Sequence, residues 1–109
     1  MSAGGRLAVV LTTFPADFAV EALLSEIVGA GLAACAQRDA PIVSWYMWEG
    51  TLQKVDEVRV WFKTTHAQVP QLYDLVVAQH PYTLPQWLVL DALASASYFT
   101  WVEQSVRPR

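Results

Sequence analysis

Residues 42–49 (IVSWYMWE) constrain the fold more than any other stretch of the chain. Side chains alternate between the two faces of a strand, so Tyr46 and Trp48 share one face while Trp45 and Met47 share the other. Both faces are therefore large and apolar, and both have to be covered. We predict that a neighbouring subunit packs against this strand, in addition to the chain's own core.

The composition supports the same expectation of an oligomer. Of 109 residues, 54% are hydrophobic and only 16% are charged, whereas soluble domains average about 25% charged residues. A monomer of this size buries only roughly 60–70% of its extended surface, and soluble proteins avoid large exposed apolar patches. We therefore expect a homo-oligomer with a second apolar surface buried between subunits.

The hydrophobic periodicity predicts a single α+β domain over residues 1–109, with residues 1–6 as a flexible N-terminal tail. Strands are predicted at residues 7–12, 32–37, 42–49, 55–65 and 86–90. Helices are predicted from the Pro15–Asp17 region to Gly29, from Pro70 to His80, and over residues 95–106. This is the ferredoxin-like β-α-β-β-α-β order with a C-terminal helix, in which the helices cover one face of an antiparallel sheet.

Charge, hydropathy and cysteine content exclude several classes of partner. The net charge is −3, and the seven Lys and Arg residues are scattered, so we predict no nucleic-acid partner. The longest uncharged stretch, residues 75–90, contains two prolines, so we predict no membrane insertion. The N-terminus lacks the pattern of a secretory signal and Cys35 is the only cysteine, which together predict a cytoplasmic protein.

Few residues suggest chemistry. The sequence has no phosphate-binding glycine loop, nucleophile elbow or zinc-binding pair, so we predict that the protein is not an enzyme. His80 precedes Pro81 in a stiff loop, and it is either a helix-terminal residue that packs on Tyr82 or a group that binds a ligand or transfers a proton. Glu57 and Lys63 share the polar face of a strand, which is either solvated or lines a cleft between subunits.

Three further features are interpreted as structural. His66 follows two threonines before the second helix, where a capping or surface role is expected. Cys35 has small apolar neighbours and is expected to be an inert core thiol. The tryptophans are expected to pack in the core and the interface, with ligand stacking as the alternative.

Several motifs in order along the chain resemble the CutA divalent-cation tolerance family. They are GLAAC at residues 31–35, SWYMWEG at residues 44–50, Glu57 with Lys63-Thr64, HPY at residues 80–82 with Pro85, and Tyr98 with Trp101. The match spans nearly the whole chain with its spacing preserved. The resemblance implies a ferredoxin-like subunit, a tight homotrimer formed through strands, a cytoplasmic location, and a link to tolerance of copper and other divalent metals.

The resemblance also implies a position for copper, and this chain departs from it. Bacterial members are described with a cysteine at the end of the first strand and two adjacent histidines before Pro-Tyr. Here the matching positions are Thr12, Gln79 and His80. Many relatives also have a glutamate where this chain has Gln86. We therefore predict that Cu(II) or another divalent cation binds at His80. Because one imidazole alone is a weak copper site, we predict no obligatory cofactor.

The resemblance also implies a cluster of candidate residues near the clefts between subunits. They are Tyr46, Trp48, Glu57, Lys63, His80 and Tyr82. We predict a trimeric protein of divalent-cation (copper) tolerance or response that binds metal through His80. The alternative is a trimeric ligand-binding, regulatory or scaffolding protein without a specific metal site, and an enzyme using this cluster for proton transfer is the third hypothesis.

Overall fold

The computed structural model describes residues 3–107. Their element order follows the predicted alternation of strands and helices. The elements are β1 (Ala3–Pro15), α1 (Val20–Gly29), β2 (Cys35–Arg38), β3 (Ile42–Trp48), β4 (Thr51–Thr64), a 3-10 turn (His66–Gln68), α2 (Val69–Gln79), β5 (Leu88–Ser95) and α3 (Ala96–Ser105). None of the helices within this range has the length and apolar character needed to cross a bilayer.

All strand pairs are antiparallel, and the sheet order is β2-β4-β1-β5, with β3 also paired to β4. β2 pairs with the C-terminal half of β4, and β3 pairs with its N-terminal half. The two short strands are therefore the halves of one strand, interrupted at residues 39–41, which include Pro41. This topology confirms the predicted ferredoxin-like fold with a C-terminal helix.

A tight turn between β3 and β4 sets the length of the hairpin. Glu49 and Gly50 have φ angles of 50° and 78°, and a two-residue loop with positive φ at both positions matches the strand twist. Trp48 consequently pairs directly with Thr51. β4 therefore begins at Thr51, earlier than the start predicted at residue 55.

α1 and α2 cover one face of the sheet. Val10 and Phe14 of β1 lie on that face beside Val58 and Phe62 of β4. The helices contribute the buried side chains Val20, Leu23, Ile27, Leu72 and Val76. Burial of Val58, Val60 and Phe62 confirms the alternation predicted for β4.

The opposite face of the sheet is mostly open. Leu7 at one end packs under Val102 of α3, but Leu88 and Leu90 of β5 are about half exposed. In the hairpin, Trp45 is 62% exposed, and Met47, Leu52, Tyr46 and Trp48 are exposed as well. An apolar surface of this extent is typical of a subunit interface.

The predicted N-terminal tail is wrong for residues 3–6. β1 begins at Ala3, and Gly5 and Arg6 pair with Ala94 and Leu93 of β5. The small residues serve close packing, because a Cβ on Gly4 would lie 2.5 Å from the Cα of Ala96 at the start of α3. Residues 1 and 2 of the predicted tail lie outside the described range.

Other predicted boundaries shift for identifiable reasons. α1 begins at Val20 and not near Asp17, because Ala16 still donates to the carbonyl of Asp56 at 3.0 Å before the chain turns. β2 begins at Cys35, later than predicted. β5 begins at Leu88 instead of residue 86 and continues to Ser95, because the longer β1 offers it pairing partners as far as Ala3.

Candidate functional site

A groove crosses the sheet face that α1 and α2 leave open. β3 forms one wall, residues 81–88 form the other, and Glu57 of β4 lies on the floor. Its volume of about 820 Å³ lies within the range of small-molecule sites, roughly 300–1,000 Å³. We call it the aromatic groove, because its lining includes the rings of Tyr46, Trp48, Tyr82 and Trp87.

Glu57 is the charged residue of this lining. It is only 5% exposed, and its Oε2 accepts a hydrogen bond from the Tyr82 hydroxyl at 2.8 Å. Within residues 3–107, no other side chain hydrogen-bonds this carboxylate. Burial and the nearby carboxylate raise the pKa of Tyr82, so the phenol stays protonated and holds Glu57 in place.

His80 lies behind the groove wall and is 9% exposed. Its Nε2 donates to the carbonyl oxygen of Thr13 at 2.7 Å, and its Nδ1 accepts from the backbone N–H of Tyr82 at 3.0 Å. Because a carbonyl only accepts and an N–H only donates, these partners require the neutral Nε2–H tautomer. The ring also stacks on Phe14 at 4.4 Å between centroids.

Burial is the main reason that the pKa of His80 lies below its ordinary value. The Thr13 hydrogen bond and the Glu57 carboxylate act in the opposite direction and offset part of the effect. Through its two hydrogen bonds, the imidazole links β1 to the loop that follows α2. Its position fixes the backbone of Thr13 and Tyr82, which both line the aromatic groove.

The structure brings together most of the predicted cluster. Tyr46, Trp48, Glu57 and Tyr82 line the aromatic groove, and His80 supports it from behind. Lys63 does not join them within one subunit. It lies six positions from Glu57 along β4, a distance of about 20 Å at the rise of a strand, and its Nζ donates to Gln37.

Known proteins share the sequence and the fold of this chain. The family model of the CutA1 divalent ion tolerance protein matches residues 8–105. The chain belongs to the CutA1 family. Among curated proteins, a CutA divalent-cation tolerance protein of Salmonella newport is 35% identical over 100 residues, which cover 91% of this chain and 87% of that protein.

Solved CutA structures have the same fold. CutA from Synechococcus elongatus superposes with a TM-score of 0.86 at 36% identity, covering 96% of this chain and 94% of that one. CutA1 from Oryza sativa gives a TM-score of 0.89 at 30% identity, with 97% and 98% covered. These likenesses agree with the resemblance drawn from the motifs.

The donors at the copper position implied for the CutA family do not fit a metal ion in this chain. The Thr12 hydroxyl donates to the carbonyl of Gln86 at 2.7 Å, and the Gln79 amide donates to Glu26 at 3.3 Å. Both nitrogens of His80 already have backbone partners. Across residues 3–107, no three His, Cys, Asp or Glu side chains are grouped as metal ligands.

Sequence reasoning missed some of the groove. The sequence pattern predicts Trp87 in the last strand, but this residue lies in the loop before β5 and packs edge-on against Tyr73 of α2, with ring centroids 5.1 Å apart. Thr13 lines the floor, and no pattern in the sequence indicates this role. Pro81 and Pro85 are the feature of the sequence that indicates this wall of the groove, because a stiff loop that carries aromatic residues commonly lines a binding site.

Proposed function

We propose that this CutA family member is a homotrimer that binds a small ligand in the aromatic groove, and that it contributes to divalent-cation tolerance through that ligand or a partner protein. The observation that carries the proposal is the pair of hydrogen bonds that engages both nitrogens of His80. This favours the ligand-binding, regulatory or scaffolding alternative over direct copper binding. Binding, and not catalysis, is the role proposed for the groove.

Copper at His80 would have to displace one of these two partners. Metal at Nδ1 would leave the N–H of Tyr82 unpaired, and metal at Nε2 would leave the carbonyl of Thr13 unpaired. An unpaired buried backbone group costs about 1–3 kcal/mol, which weakens metal binding by about fivefold to more than a hundredfold. No second strong donor at Thr12 or Gln79 compensates for that cost.

The trimer is supported by the exposed apolar side chains of the hairpin. Trp45 and Met47 are both 62% exposed, and Leu52 is 65% exposed. Packing of these side chains between subunits would remove the patch from water and protect the strand edges. We also propose a cytoplasmic location, supported by the single unpaired Cys35, and cell fractionation checks it.

Native mass spectrometry of the tag-free protein during a Cu(II) titration tests the function. We expect a trimer mass and no copper uptake that depends on His80. Wild type is compared with His80→Ala and with His66→Ala, a matched control that removes the exposed histidine at the other end of α2.

One copper per subunit that is lost in His80→Ala and kept in His66→Ala would contradict the proposal. Electron paramagnetic resonance of the wild-type protein shows without a variant whether a histidine binds copper, because an imidazole ligand adds nitrogen hyperfine structure to the copper signal. A stable monomer in dilute solution would contradict the trimer.

A further inference from the structure

Building on the proposed ligand-binding function, we propose that the aromatic groove selects an organic cation, a protonated amine or quaternary ammonium group carried on an apolar body. Two features of the groove point to this chemistry. One is a buried carboxylate with a free oxygen, and the other is a set of aromatic rings around it. The ligand's positive charge would meet Glu57, and its apolar body would lie against the rings.

Within one subunit, the charge of the groove is one-sided. Of the side chains that line it, Glu57 carries the formal charge, and neither Lys, Arg nor His is among them. The hollow on the other side of Tyr46 and Tyr82 contains two more carboxylates, Asp17 and Asp56. Glu57 forms no ion pair with the described residues of its own subunit, so a bound cation would supply a counter-charge to the carboxylate and an anionic ligand would be repelled.

The hydrogen bonding of Glu57 leaves room for that cation. Tyr82 holds Oε2 at 2.8 Å, and Oε1 has no hydrogen-bond partner among residues 3–107. Because Glu57 is 95% buried, solvent screens its charge only weakly. The fixed phenol presents the second oxygen to the groove without a loss of side-chain entropy on binding.

The aromatic lining distinguishes an organic cation from a metal ion. A divalent metal needs several oxygen, nitrogen or sulfur donors, whereas the groove offers one carboxylate with one oxygen already engaged. Tyr46 and Trp48 project on the groove face of β3, and Trp87 stands on the opposite wall. Such rings attract ammonium groups through cation–π interaction.

Trp45 belongs to the other side of the hairpin and carries a cation of its own. The Nζ of Lys54, its partner across the β3–β4 pair, lies 5.7 Å from the Trp45 ring centroid. This contact leaves the rings of Tyr46 and Trp48 for a ligand, whereas the Trp87 ring also packs edge-on against Tyr73 of α2. The volume of about 820 Å³ exceeds what an ammonium group alone fills, which favours a cation with an attached ring or chain.

Three probes of similar shape and different charge test the proposal. Benzylammonium, benzyl alcohol and benzoate are titrated into the intact oligomer, and binding is followed by tryptophan fluorescence and by calorimetry. We expect benzylammonium to bind at least about tenfold more tightly than benzyl alcohol. Benzoate should bind more weakly than either.

The variant Glu57→Gln should remove the preference for the cation, because the amide is neutral although its oxygen still accepts from Tyr82. Asp56→Asn is the matched control, since it removes the same charge from the next residue, on the opposite face of β4, and should keep most of the preference.

The outcomes separate this proposal from the one on which it rests. Equal binding of benzylammonium and benzyl alcohol, or preferred binding of benzoate, overturns the organic-cation proposal and preserves a ligand-binding groove. No binding of any probe up to about 10 mM, weaker than a typical fragment, overturns both proposals and indicates that a neighbouring copy of the chain fills the groove. The comparison among probes needs only the wild-type protein, so it holds even if Glu57→Gln does not fold.

Discussion

Replacing His80 by Phe tests whether this imidazole is structural or a metal ligand. Phe keeps an aromatic ring in the stack on Phe14, whose centroid lies 4.4 Å from that of His80. It removes the donor to Thr13 and the acceptor from Tyr82. The substitution therefore deletes two hydrogen bonds with little change in packing.

The expected cost follows from those two bonds. Each contributes about 1 kcal/mol net, which gives about 2 kcal/mol per subunit. The carbonyl of Thr13 and the N–H of Tyr82 would also lose their partners at a site that is almost closed to water, and this raises the loss to about 4 kcal/mol. A surface metal ligand would give a much smaller change, within about 0.5 kcal/mol.

The same residue predicts a pH dependence. Burial lowers the pKa of His80 from about 6.5, so the folded protein keeps a neutral ring while the unfolded chain takes up a proton. The stabilisation by His80 is therefore fully present above about pH 6.5, and it is lost as the pH falls toward the folded-state pKa.

Unfolding by urea at about pH 8 and about pH 5 measures both effects at one subunit concentration. Wild type should lose more stability on acidification than His80→Phe, because the variant lacks the titrating ring. His66→Asn is the control, since His66 is exposed and bonded to Asp91. Equal stability of wild type and His80→Phe at high pH, or equal loss on acidification, would refute the structural role.

Two further predictions concern assembly and backbone strain. Trp45→Asp places a charge in the exposed apolar face of the hairpin and should dissociate the oligomer; sedimentation velocity checks this, and an unchanged sedimentation coefficient would argue against the interface. Gly31→Ala puts a Cβ 2.9 Å from that of Arg107 at a φ of 75° and should cost about 1–3 kcal/mol in thermal unfolding. Gly29→Ala, where nothing lies within 4 Å, is its control and should stabilise α1 by up to about 1 kcal/mol, so equal effects of the two changes would contradict the strain at Gly31.

The fold could be predicted because local signals and tertiary packing agree. Alternation at Val58, Val60 and Phe62 identified the core face of β4, and Pro81 marked the end of α2, which stops at Gln79. The boundaries failed where tertiary contacts override local pattern. Gly4 and Gly5 indicated a flexible tail, whereas their lack of a side chain is what lets β1 pass against Phe99 of α3.

The candidate site was predictable in part. Alternation placed Glu57 on the same face as Lys63 and so grouped them, but a shared face says nothing about distance along a 14-residue strand. The burial of Glu57 depends on the loop that returns from α2 and lays Tyr82 over it. Such a contact between residues 25 positions apart leaves no periodic signal in the sequence.

His80 shows why the identity of a residue does not determine its role. An imidazole binds a metal through a nitrogen lone pair, and in this chain the lone pair of Nδ1 accepts from the backbone while Nε2 carries its proton to Thr13. Thr12 in place of a thiol offers a hydroxyl that is itself committed to Gln86. Thr12 and His80 thus each hold together two segments of the groove wall. Metal tolerance that depends on this chain would therefore require the groove to be correctly assembled, and substitutions at Thr12 or His80 would impair ligand binding and copper tolerance together.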